Sequence, residues 1–116
     1  MSEVSIYHNP RCSKSRQTLA LLEDKGIKPQ VIEYLKEPLT AEDIQGLLRK
    51  LGFVSARELM RSKEEAYKEL NLKDEEDESK LIEAMLSHPK LIERPIVVKG
   101  SKARLGRPPE AVEEIL

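Results

Sequence analysis

The chain has 116 residues, the length of one ordinary domain, and its charges nearly cancel: 20 Lys and Arg against 21 Asp and Glu leave a net charge of −1. That balance excludes the global basic field of a nucleic-acid binder or of a protein held on an anionic membrane surface, and no apolar run approaches the ~18–20 residues that cross a bilayer. With one Phe, three Tyr and no Trp, the core must be built from Leu, Ile and Val; a chain of this length buries roughly two-thirds of its unfolded surface without covalent staples.

Val4 to Tyr7 alternates apolar and polar residues, as a half-buried strand does. His8-Asn9-Pro10 breaks it, because Pro10 cannot donate to a ladder. A helix is expected from Ser13, with Ser15, Thr18, Leu19 and Leu22 at helical spacing and Gly26 just past its end. Gln30 to Tyr34 reads as a second strand, so the opening is β-α-β, which implies a parallel pair and a right-handed crossover.

The middle reads as helical. Thr40 can cap a helix whose apolar set, Ile44, Leu47, Leu48 and Leu51, falls on one face and is closed by Gly52. Ser55-x-x-Glu58 and Ser62-x-x-Glu65 both have the capping-box pattern, which predicts two further short helices. The acidic run Asp74 to Glu78 predicts a solvated turn before a helix carrying Leu81, Ile82, Met85 and Leu86. His88-Pro89 reads as that helix's end.

Pro95 to Val98 is a short strand, and Lys99-Gly100-Ser101-Lys102 a tight hairpin into Ala103-Arg104-Leu105. Pro108-Pro109-Glu110 starts a last helix, with proline in the first turn and an acid suited to the dipole. The order is β-α-β, a helical block, then β-β-α. Without the block it is the order of a thioredoxin-like fold. The expectation is an α/β protein with a mixed four-stranded sheet: one domain over residues 1–116, its core from 1–36 and 90–116, and a helical insertion at 37–89.

The chemistry centres on Cys12, in His8-Asn9-Pro10-Arg11-Cys12-Ser13-Lys14-Ser15-Arg16, between a strand end and a helix start. The first N–H groups of a helix are unpaired and carry about half a positive charge, so a thiolate or a bound oxyanion is stabilised there. Arg11, Lys14 and Arg16 add positive charge, His8 can add charge or a hydrogen bond, and the Ser15 hydroxyl can face the sulfur. The motif is Cys-x-x-Ser, and the chain holds one cysteine, so an oxidised Cys12 has no internal partner and an external thiol must resolve it. A lone cysteine also argues against a secreted disulfide scaffold, and Met1-Ser2-Glu3-Val4 lacks the pattern of a secretion signal, so a reducing, cytoplasmic setting is expected. Two histidines and one cysteine have no metal-site spacing, and Cys12-x3-Arg16 is not the Cys-x5-Arg loop of phosphatases.

Three stretches together, Tyr7 to Arg16, Glu93-Arg94-Pro95-Ile96-Val97-Val98 and Arg107-Pro108, resemble the glutaredoxin-dependent arsenate reductase family. The likeness extends through Ala56-Arg57-Glu58-Leu59-Met60-Arg61 and covers essentially the whole chain, closest to a short bacterial branch; the chain ends at Leu116 without the C-terminal extension of longer members. The resemblance implies that Cys12 attacks arsenate to give a thiol–arsenate adduct, that Arg61, Arg94 and Arg107 bind the oxyanion, and that His8 and Ser15, with Arg16 beside them, support the thiolate. It implies glutathione as co-substrate, a Cys12–glutathione mixed disulfide resolved by glutaredoxin, no bound cofactor or metal, and a cis bond at Arg94-Pro95. A monomer acting on arsenate or a similar oxyanion, with no nucleic-acid or membrane partner, is expected.

Guanidinium forks suit a tetrahedral dianion, since each can hold two oxygens. Two other functions fit the same fold. Spx-type regulators bind RNA polymerase, but their usual Cys-x-x-Cys switch is missing here. A thiol sensor or transferase glutathionylated at Cys12 would need no oxyanion.

Overall fold

The computed structural model describes residues 4–116. They divide into two compact units: 4–37 with 94–116, and 38–93. Residues 90–93 fall in the second unit because the 3-10 turn Pro89–Leu91 runs into a bridge between Ile92 and Met60, and because Glu93 N–H donates to Leu59 C=O at 2.8 Å.

The first unit is a four-stranded sheet with one long helix. Strand β1 is Val4–Tyr7, helix α1 Ser13–Asp24 and strand β2 Gln30–Ile32. The second unit contributes helices α2 Ala41–Leu51, α3 Glu65–Glu69 and α4 Glu78–Ser87. Strands β3 Ile96–Lys99 and β4 Lys102–Leu105 then return to the sheet, and a 3-10 helix Pro109–Ile115 closes the chain. The sheet order is β2-β1-β3-β4, with β1 parallel to β2 and antiparallel to β3, and β3 antiparallel to β4. This is the mixed, thioredoxin-like sheet expected from the element order.

Burial follows position in the sheet. Ile96, Val97 and Val98 of β3, an interior strand, are all buried, whereas Gln30 and Val31 of β2, at the edge, are exposed. That edge strand stops at Ile32, two residues short of the expected Tyr34, which is buried in the turn that follows. Val4, Ile6, Leu22, Val97, Val112 and Ile115 form one apolar cluster between sheet and helices. Ion pairs Lys25–Glu113 at 2.9 Å and Arg104–Glu114 at 2.9 Å hold the C-terminal 3-10 helix from two sides. That segment forms seven residues of 3-10 helix where an ordinary α-helix was expected.

In the second unit the capping signals mostly do what their chemistry predicts. Thr40 and Asp43 form a reciprocal capping box on α2, and Gly52 ends the helix in the left-handed region at φ 77°. Ser55 and Glu58 form a second box, although the segment it starts, Ala56–Leu59, is a 3-10 turn. The Ser62-x-x-Glu65 pattern is not used. Helix α3 begins at Glu65 with Glu64 before it, because Glu64 N–H closes a turn on Arg61 C=O at 3.1 Å and its carboxylate pairs with Arg61 Nε at 3.7 Å. Nor is the acidic run all solvated. Asp77 caps α4, and the Glu78 carboxylate accepts from Ser55 Oγ at 2.8 Å and Ala56 N–H at 2.7 Å. Arg57 gathers the loop between them, donating to Tyr67 Oη and to the carbonyls of Leu72 and Glu75.

Candidate active site

Cys12 takes the N-cap position of α1 in an extended conformation, φ −92° and ψ 123°. A residue there normally offers a side-chain oxygen to the N–H groups two and three places on; here the side chain is a sulfur. No capping hydrogen bond of full geometry forms. Burial by itself pushes the thiol up, but the Ser15 N–H, the Arg94 guanidinium and the Lys14 N–H act together against it, and Cys12 ends below the ordinary thiol value. The first turn holds no acidic residue to neutralise that positive end.

The loop before the cysteine is fastened by its own polar groups. Cys12 N–H donates to Asn9 C=O at 3.0 Å, and Arg11 N–H to Asn9 Oδ1 at 3.0 Å. Ser15 is fully buried; its hydroxyl accepts from Asn9 N–H at 3.0 Å and lies 2.7 Å from His8 Nδ1. The hydroxyl expected to face the sulfur is therefore committed to the loop, and Ser15 serves the thiolate through its backbone. His8 is buried, and desolvation lowers its pKa against the pull of Glu33, with Arg16 adding to the lowering. Burial thus favours the neutral ring, and His8 meets the loop through its hydrogen bond with Ser15 Oγ. Arg16 is exposed and donates through Nη1 to Pro10 C=O at 3.0 Å, which ties the loop to the helix.

Two arginines arrive from the other end of the chain. Both precede cis peptide bonds, Arg94-Pro95 and Arg107-Pro108. Arg107 Nε donates to Arg94 C=O at 2.8 Å, and Arg107 Nη2 stands 3.7 Å from Cys12 Sγ. Arg94 acts on the same sulfur by hydrogen bond and by charge. Arg61 belongs to the second unit: its N–H donates to Leu91 C=O at 2.7 Å, and its Nη1 is buried with no hydrogen-bond partner. Asn9 was missed as a candidate from sequence, although an Asn directly before a Pro-containing turn is a signal for such a side-chain-to-backbone bond.

A thiol with lowered pKa, set at a helix N-terminus in a thioredoxin-like sheet and flanked by two guanidinium groups, defines a class of thiol enzyme or thiol switch that meets an anion. The chain belongs to the ArsC family, whose model matches residues 7–115. It is 59% identical over 115 residues to the "Uncharacterized protein YfgD" of Escherichia coli strain K12, covering 98% of this chain and 97% of that one. It is 52% identical to an "Arsenate reductase" of Haemophilus influenzae, over 97% of this chain and 98% of that one. Among solved structures it is similar to "Arsenate reductase from Vibrio cholerae", with a TM-score of 0.96 and 58% identity over 99% and 98% of the two chains. Among the described residues no helix is long and apolar enough to cross a membrane.

Proposed function

We propose that this protein reduces arsenate to arsenite, with Cys12 as nucleophile, glutathione as reductant and glutaredoxin as the protein that regenerates the thiol. The observation that carries the reading is the sulfur itself: a lone thiol of lowered pKa with Arg107 Nη2 at 3.7 Å and Arg94 beside it. Relatives at 52% and 58% identity that bear the name arsenate reductase support the choice of oxyanion.

The Cys12 thiolate attacks the arsenic of arsenate, an S–As bond forms, and one oxygen leaves as water after protonation. Arg94 and Arg107 hold the remaining oxygens and the charge they carry, and the helix N–H groups that favoured the thiolate then face the anion. Arg61 is included in this reading on the family resemblance alone. A glutathione thiolate next attacks the Cys12 sulfur. An S–S bond forms, the S–As electron pair goes to arsenic, and arsenite leaves: two electrons gained by arsenic, two lost by the pair of thiols. A glutaredoxin thiolate then attacks the glutathione sulfur and releases Cys12. An external thiol is required because the chain has no second cysteine.

The test is arsenite production from arsenate with glutathione and glutaredoxin present, wild type beside Cys12→Ser. Turnover in wild type that vanishes in the variant is expected. If wild type forms the Cys12–glutathione disulfide at the same rate with and without arsenate, the protein is a thiol sensor or transferase and the reductase reading fails.

A further inference from the structure

The two arginines at the sulfur are carried by segments that meet at one glycine. Gly106 follows β4 and precedes Arg107, and its N–H donates to Pro95 C=O at 2.9 Å. It is buried, and a Cβ added there would collide with Thr18 Oγ1 and lie 2.6 Å from Pro95 Cγ and 3.1 Å from Thr18 Cγ2. Real Cβ atoms essentially never approach a neighbour to under 3.0 Å. Its φ is outside the left-handed region that Gly26, Gly52 and Gly100 occupy, so what the position demands is room and not conformational freedom.

Neither neighbour can yield cheaply. Thr18 is fully buried on the inner face of α1, and its hydroxyl donates to Lys14 C=O at 2.8 Å, which fixes the rotamer. Pro95 is a ring, buried, and held on the Gly106 N–H through its own carbonyl. A polar Thr18 on the buried face of an amphipathic helix is itself unusual, since that face normally carries aliphatic residues. Here it is the surface against which the returning chain is pressed.

We infer that Gly106 is a positioning residue: the missing side chain lets the exit of β4 seat against Thr18 and Pro95, and this seating brings Arg107 and Arg94 together on the Cys12 sulfur. Arg107 is the next residue in the chain, and Arg94 is tied to it by the 2.8 Å bond from Arg107 Nε to Arg94 C=O. A Cβ at 106 pushes on Pro95, hence on Arg94, and lifts Arg107 from α1 in the same movement. The inference rests on the reading of these arginines as the groups that stabilise the thiolate and the anion.

Cys12 is the only cysteine, so the pH dependence of alkylation by iodoacetamide, a neutral reagent, reports its titration directly. Gly106→Ala is expected to move the midpoint upward and to slow alkylation about three- to ten-fold at a pH below it, as a shift of half to one unit would. Thr18→Ala alone leaves the midpoint where it was, and Thr18→Ala combined with Gly106→Ala recovers part of the loss, because it reopens one side of the contact. A folded Gly106→Ala protein with an unchanged midpoint overturns the inference, and so does a shift that the Thr18→Ala background leaves untouched. If Gly106→Ala alone does not fold, the double variant carries the test: its midpoint must lie above that of Thr18→Ala. Because the assay contains no arsenate, a shift seen in a protein that fails to turn over arsenate sinks the reductase reading and leaves the positioning role standing.

Discussion

Helices α1 and α2 are nearly the same length, 12 and 11 residues, but the sequence treats their N-termini in opposite ways. Helix α2 is neutralised: Thr40 caps it, Glu42 and Asp43 sit in its first turn, and Arg49 and Lys50 sit in its last. Helix α1 has a sulfur where the capping oxygen belongs, no acid in its first turn and no base in its last. Their inner faces differ as well. Helix α2 buries Ile44, Leu47 and Leu51, whereas α1 buries Ser15 and Thr18 before its first buried aliphatic, Leu22. One helix satisfies its own dipole and is structural. The other leaves its positive end available, and that is where the thiol and the arginines converge.

If this contrast is what makes the site, converting one end into the other should exchange stability for reactivity. The largest effect is expected from Cys12→Asp, which gives α1 an ordinary cap. Arsenate turnover should fall to background while stability rises by about 1 kcal/mol, measured by denaturant unfolding. A protein that loses turnover without gaining stability would show that the N-terminus was already satisfied.

Arg94→Ala comes next. It should weaken oxyanion binding by about 1.5–3 kcal/mol, roughly ten- to hundred-fold in a titration, and move the Cys12 alkylation midpoint upward, since the guanidinium is one of the groups that lower it. No change in either quantity would remove Arg94 from the site. Thr40→Ala is the reciprocal test on α2: about 1 kcal/mol of stability lost, with the alkylation profile of Cys12 unchanged.

The smallest effect expected is one of pH. The pKa of His8 is lowered in the folded protein, so as pH falls below 6.5 the unfolded chain takes up that proton before the folded one does. Its contribution to stability is therefore complete above 6.5 and declines as pH falls toward the folded value. His8→Gln should flatten that part of the stability curve, and an unchanged acid limb would show that His8 is not the group responsible.

How much of the site was legible depended on the distance over which each feature is decided. Cys12 at a helix start could be read locally, as could the capping of α2; Arg94 and Arg107 came only through the family resemblance, since an arginine taken alone reads as a surface residue. The role of Ser15 could not. Helical spacing puts residue 15 over residue 12, but only the packing of His8 and Asn9 decides that its hydroxyl turns to them while its N–H turns to the sulfur. Ser62-x-x-Glu65 shows the opposite failure: a valid local pattern overridden by the Arg61–Glu64 turn and ion pair.

By itself the sequence determined the β-α-β opening, the helical block, the paired strands near the end and the need for an external resolving thiol, because periodicity, capping chemistry and a count of cysteines are properties of short segments or of composition. The tertiary structure decided that burial lowers the pKa of His8, that Arg107 lies against a sulfur 95 residues away in the chain, and that a Cβ at Gly106 would collide with Thr18 and Pro95. Each of these depends on burial or contact between segments that share no local code. Desolvation and steric exclusion exist only once the sheet has brought the two ends of the chain together.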